Sequence, residues 1–498
     1  MKKKNKELIK NTIIIFLGKA CTQLISFLLL PLYTSTLNSS EYGIVDLVTT
    51  YITLLVPIIT LQLEMALFRF LIDARNKEED KKEITTNAYI VATIMVFITT
   101  IIYGVICLFW NYDYKIYFYF MVLATVYSNL SLQVARGNGD NVGYAIGSII
   151  AGATTIVLNV ILLVFVKMGI EAMFLSVIIS NILCFLFLMI REKIYKYINI
   201  KALNNSKAKE LLKYSLPLVP NGLVWWIINV SDRTIISMIM GAAANGIYAI
   251  SNKFSTIIIG VYNIFNLSLT ESVSLYINDK DKDTYLSSLM DKVLKIFAYV
   301  CIETLLFMFI MFPILINSSY SEAYQYIPTL LVGTLFHVVV SMLGTVYVAK
   351  KLTGEVAKTS LYAGILNIII NLVCIKYIGI HAAAISTAVA FGAMTIYRYI
   401  DVQKYVKIKF NKKNIIEIVI LFTIATIIYY INNIYTSIIG TFIINVYIFM
   451  TNRKMIVQLI KQLKTKVLQK RKRNINEVIW QNKRAKGGSD LHEKNKKN

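Results

Sequence analysis

"EYGIVDLVTT" (41–50) and "ANGIYAISNK" (244–253) are two versions of one motif, set 203 residues apart. A second pair, "GIEAMFLS" (169–176) and "GIHAAAIS" (379–386), recurs in the same order at an offset of 210. Either match alone is weak, because Gly-Ile followed by small residues arises easily. Two matches in one order at near-equal offsets mark an internal repeat, and that repeat organises the chain.

Around the motifs the sequence is apolar almost from end to end. Of 498 residues, 56% are hydrophobic and only 16% charged. Runs of about 20 apolar residues recur, the length that crosses a hydrocarbon core. Fourteen spans are expected between roughly residues 11 and 451, one of them covering 42–70 and another 214–239. The opening "MKKKNKELIK" resembles the start of a signal peptide. The apolar stretch that follows, to Leu37, is too long for one and lacks a small-x-small cleavage site, so it reads as a retained span. Six spans per repeat give both halves the same orientation, with the repeat axis along the membrane normal. The expectation is an all-α integral membrane protein. Its lobes cover 1–200 and 201–410, two extra spans cover 411–451, and a basic tail covers 452–498.

The net charge of +24 invites a nucleic-acid reading, but the distribution of charge excludes it. Lysine and arginine crowd the N-terminus, alternate loops and the tail; only Lys115, Lys167 and Lys376 fall in loops of the opposite side. That asymmetry places both termini in the cytoplasm, with anionic lipid as the partner of the positive charge. The five cysteines, Cys21, Cys107, Cys184, Cys301 and Cys374, each sit in an apolar segment without CxxC spacing, so neither zinc nor a disulfide framework is expected.

Charges inside spans cost roughly 2.5–3.5 kcal/mol each on insertion scales. At 100° per residue, polar groups form stripes on single faces. Span one presents Lys19 and Gln23; span two presents Asp46 and the threonines to Glu64. Span seven presents Asn229 and Asp232, with Arg233 at the border; span eight presents Lys253 and Asn263; span ten presents His337. Small and hydroxyl residues on such faces are explained by helix packing alone, and some charges by pairing or snorkelling. Stripes on the first two spans of each half fit a wet cavity between lobes, which Asp232 and Arg233 are expected to face. Arg233 reads as the only bidentate fork well inside a span.

The stretches "SFLLLPLYTSTLNSSEYGIVDLVTTYITLLVPIITLQLEMALFRF" (26–70) and "YSLPLVPNGLVWWIINVSDRTIIS" (214–237) resemble bacterial polysaccharide-biosynthesis flippases. These belong to the multidrug/oligosaccharidyl-lipid/polysaccharide exporter superfamily, and the resemblance covers roughly residues 8–410. It implies two six-helix lobes in a V, often with two extra helices. It also implies transport of undecaprenyl-pyrophosphate-linked sugar repeats across the bacterial cytoplasmic membrane for surface or capsular polysaccharide. Other polysaccharide-assembly proteins are the implied partners. Cavity cations on spans one and eight and an acid on span two correspond to Lys19, Lys253 and Asp46.

Three alternatives share parts of this reading: a cation-coupled multidrug exporter, a peptidoglycan-precursor flippase, and a membrane polysaccharide polymerase or ligase. The first needs a dominantly acidic cavity, and the last a large outside loop that the spans leave no room for. No GxxxxGK[ST] motif occurs, so the chain is not expected to hydrolyse nucleotide; a transporter without a cofactor is expected, driven by an ion gradient (H+ or Na+), by the membrane potential or by consumption of product outside.

Overall fold

A computed structural model describes residues 27–109 and 112–453. Among them every regular element is helical. The helices are α1 (Leu30–Thr36), α2 (Ser39–Ile59), α3 (Leu63–Asp73), α4 (Glu78–Phe109), α5 (Lys115–Asn138), α6 (Asn141–Val160) and α7 (Ile170–Arg191). A linker with α8 (Asn205–Ser215) leads to α9 (Leu218–Met240), α10 (Ala242–Tyr276), α11 (Lys282–Leu306), α12 (Met308–Leu315), α13 (Ile327–Ala349), α14 (Thr353–Ile378) and α15 (His381–Val402). Then come α16 (Lys412–Ile431) and α17 (Ile434–Arg453).

Eleven of these elements are long and apolar enough to cross a membrane, or twelve if α11 and α12, bent by 65°, make one span. Of the other two expected spans, one lies mostly in residues 1–26, outside the described residues. The other is α9, which carries Asp232 and Arg233. Among the described residues, those up to Tyr430 form one compact unit and those from Ile431 onward belong to a second.

The N-lobe core brings Leu63, Leu67, Met121, Leu130 and Phe174 of α3, α5 and α7 together. The C-lobe core joins Ile236, Tyr248, Leu330 and Ala383 of α9, α10, α13 and α15. The second sequence repeat is also a backbone repeat. Gly169 before α7 has φ 66° and ψ −137°; Gly379 before α15 has φ 57° and ψ −138°. Both lie outside the region open to residues with a Cβ, which explains why glycine recurs at this corner.

One expectation needs correction here. The span expected over 42–70 is broken. Pro57 lies in the last turn of α2, and Leu61 and Gln62 both take left-handed φ values, 52° and 59°, before α3 begins. Glu64 is buried just past the break and accepts from the Thr60 hydroxyl at 2.6 Å. Pro217 stands at the N-cap of α9, where its missing N–H costs nothing.

Candidate functional site

The two lobes cross where the first sequence repeat predicts equivalence. Gly43 on α2 and Gly246 on α10 face each other, and a Cβ on either would run into the partner helix backbone at Ala242 or Ser39. The contact is sealed by Asn245 Nδ2, which donates to the Gly43 carbonyl at 2.9 Å. Nearby, Tyr320 Oη donates to Leu37 O at 2.9 Å, and the Asn317 amide donates to Thr34 Oγ1 at 3.1 Å. Asn38 starts α2 with a capping box: its side chain accepts from Glu41 N, and Glu41 accepts in return from Asn38 N, both at 2.9 Å. These inter-lobe bonds gather at the Asn38 end of the helices.

One turn further in, Arg233 Nε on α9 donates to Asp46 Oδ2 on α2 at 2.6 Å, with side chains only 16% and 10% exposed. The Tyr51 and Thr234 hydroxyls meet across the same seam at 3.2 Å. Lys253 of α10 lies over the ring of Tyr42 of α2, Nζ 6.0 Å from the centroid. Beyond this layer α10 exposes a polar stripe, Asn263, Glu271 and Ser274, and Thr53 of α2 is exposed as well. The arrangement is an acid and two cations beneath a closed end, with polar faces opening below.

Asp232 corrects the sequence reading. It does not face the inter-lobe space but is buried inside the C-lobe, 3% exposed. Its carboxylate accepts from Tyr248 Oη at 3.0 Å, Asn371 Nδ2 at 2.8 Å and Thr387 Oγ1 at 2.6 Å. The Asn367 amide, with nitrogen toward it, adds a bond of 3.1 Å. Adjacent residues on a helix point 100° apart, so a pair in sequence is split: Arg233 goes to the lobe seam, Asp232 to the lobe interior. The cluster presents two amide N–H and two hydroxyl groups, all neutral, to one carboxylate, and the buried Asn371 Oδ1 has no hydrogen-bond partner. Among the described residues, no group of three or more His, Cys, Asp and Glu is placed to hold a metal.

Asp232→Leu is expected to leave four donors without this acceptor, at about 1–3 kcal/mol each. It should lower both membrane abundance and the thermal midpoint of the purified protein, whereas Asp232→Asn should keep most of both. Equal midpoints for the two variants would contradict the buried-network account.

The remaining expected residues fall elsewhere. Lys19 and Gln23 lie outside the described residues, and the side chain of Asn229 is not described. Asn263, on the exposed face of α10, and His337 line a cavity in the C-lobe. Intramembrane Lys295 is a structural pair, bonded to Glu417 of α16 at 3.0 Å. Arg233 is not the only guanidinium inside a span. Arg398 of α15 is 2% exposed, and it went unnoticed because the sequence puts it within a few residues of the basic 401–413 segment, where a snorkelling side chain is the natural reading.

The two-lobed helical bundle is similar to solved structures of membrane transporters. An inward-facing multidrug-resistance transporter of the MATE family and MOP superfamily superposes with a TM-score of 0.63 at 13% identity, covering 77% of this chain and 95% of that one. Lipid II flippase MurJ in an inward closed conformation gives 0.62 at 16% identity, covering 90% and 100%. An outward-facing MATE transporter gives 0.54 at 12% identity, covering 79% and 95%. No curated protein matches. The family described as "Polysaccharide biosynthesis protein" matches residues 8–270, and the chain belongs to that family.

Proposed function

We propose that the protein is a flippase that moves undecaprenyl-pyrophosphate-linked oligosaccharide across the bacterial cytoplasmic membrane by alternating access. The observation that carries this reading is the lobe seam: a glycine crossing closes the Asn38 end, while Asp46, Arg233 and Lys253 lie directly beneath it. A pyrophosphate with attached sugars is costly to move through hydrocarbon and needs cationic, hydrogen-bonding surroundings. The polyprenyl chain stays in lipid between the lobes. In the closed state Asp46 holds Arg233, and opening of the seam frees the guanidinium for the pyrophosphate. Lys253, with no ion pair among the described residues, is the second phosphate partner. The Asp232 cluster is the place where H+ or Na+ would couple to this cycle, by neutralising a carboxylate that now has only neutral donors.

Deleting the gene should accumulate an undecaprenyl-linked oligosaccharide on the inner leaflet. Accumulated lipid II instead would identify a peptidoglycan-precursor flippase, and drug sensitivity with normal glycolipids a multidrug exporter. Orientation is tested separately. Cysteines placed at 38 and 243 should react with an impermeant thiol reagent in intact cells, and one at 205 should not. Labelling at 205 but not at 38 would invert the topology.

A further inference from the structure

Toward the end of the C-lobe away from the glycine crossing, α10, α13, α14 and α15 line an open cavity of about 420 Å³. That volume exceeds what a few waters need and lies within the usual range of small-molecule sites, about 300–1,000 Å³. Asn263, Asn266, Thr270, His337, Ser341 and Arg398 give it a polar wall.

Arg398 is the unusual member. Its guanidinium bonds only to neutral acceptors: Nε to Thr359 Oγ1 at 2.9 Å, Nη1 to Val340 O at 3.0 Å, and Nη2 to Thr359 Oγ1 at 2.7 Å, Val356 O at 3.2 Å and Ser360 Oγ at 3.3 Å. Among the described residues it has no ion pair. The main-chain acceptors are interior helix carbonyls, already served by the helix ladder. Thr359 itself donates back to Glu355 O at 2.8 Å. Ser360, fully buried, has this guanidinium as its hydroxyl's partner, so the lobe uses part of the fork and leaves the rest of its charge without a carboxylate among the described residues. Nη1, which has one of its two hydrogens unassigned, faces Gly344, where a Cβ would sit 2.8 Å away. His337 is 7% exposed and its Nδ1 has no partner. Two buried groups thus converge on the cavity with hydrogen-bonding capacity left over, one of them a guanidinium that has no carboxylate partner among the described residues and lies 5.9 Å from the centroid of the Tyr347 ring.

We infer that this cavity binds a carboxylate-bearing sugar ring, with Arg398 on the carboxylate and the amide, hydroxyl and imidazole groups on the ring hydroxyls. One guanidinium matches one negative charge, which favours a carboxylate over a phosphate dianion. Neutral donors and acceptors suit a polyhydroxylated ring. The choice of a sugar rests on the glycolipid reading above; the anion site itself does not.

The test uses purified full-length protein in nanodiscs, titrated calorimetrically with D-glucuronate, D-glucose or inorganic phosphate. Wild-type protein should bind glucuronate and neither of the others. Arg398→Gln should accumulate at wild-type level or above, since removing an unpaired buried charge lowers the cost of insertion. Its affinity for glucuronate should fall about ten- to a hundredfold, the worth of a charge-assisted hydrogen bond. His337→Phe keeps the ring shape and should weaken binding by severalfold. Unchanged affinity in both variants, equal binding of glucose, or equal binding of phosphate would each overturn the inference. A flippase that exports polymer normally yet ignores glucuronate would refute this site alone. Binding of glucuronate without any accumulated glycolipid in the deletion strain would refute the flippase reading instead.

Discussion

Gly246→Val is expected to abolish export while the protein still accumulates. A side chain at Gly246 meets main chain, the Ser39 carbonyl of α2, rather than a side chain that could swing aside. Small residues at helix crossings exist to allow such close approach, and valine must push the two axes apart. The penalty falls on the closed Asn38 end and not on either lobe, whose cores do not include position 246. A penalty of about 3 kcal/mol already shifts the closed state by ~100-fold. Surface polysaccharide should be lost in a complemented deletion strain, with membrane abundance within about twofold of wild type. In a background lacking the native cysteines, a reporter thiol introduced by Lys253→Cys should be shielded from an impermeant reagent in the parent and become reactive with Gly246→Val. Normal export, or a reporter thiol still unlabelled in the valine variant, would remove the crossing from the mechanism.

The crossing was legible in the sequence because it is the repeat. When two halves are related by an axis along the membrane normal, equivalent residues face each other near that axis. Gly43 and Gly246, 203 residues apart, meet there, so one spatial requirement was written twice. The Gly169 and Gly379 corners recur for a different reason, a shared positive φ. The all-helical class follows from hydropathy, since a hydrocarbon core leaves few alternatives to apolar helices.

What the sequence hid are features set by rotation and by tertiary support. Periodicity placed Asp232 on a polar stripe, but a stripe does not say whether its face meets water or a neighbouring helix. Here Asn371 and Thr387, more than 130 residues away, make the interior acceptable to a carboxylate. The break at Leu61–Gln62 carries no glycine, and left-handed leucine costs roughly 1 kcal/mol or more, so propensity argues against it. Pro57, which removes a donor in the last turn of α2, was the available signal. Arg398 escaped because burial without a carboxylate partner cannot be read from one helix.

Separating Asp46 from Arg233 should block transport through conformation rather than folding. Arg233→Ala leaves Asp46 largely buried without its cation, at a cost of about 3 kcal/mol, the low end for an orphaned buried partner. Because the pair joins α2 to α9 across the seam, the cost is incurred only while the lobes are together at that end. Abundance should therefore stay near wild type while export falls by about 100-fold. Asp232 keeps its own donors in this variant, so no collapse of the C-lobe is expected. Asp46→Asn should fail similarly, and Arg233→Lys should retain partial export, since charge survives and the fork does not. The decisive variant is the exchange Asp46→Arg with Arg233→Asp. If the pair serves only to close the seam, the exchange restores export. If Arg233 also meets the pyrophosphate, the exchange restores closure but not export, closure being read as renewed shielding of the reporter thiol at position 253. The proposed role of Arg233 requires the second outcome, and full export by the exchanged protein would assign phosphate recognition to Lys253 without it.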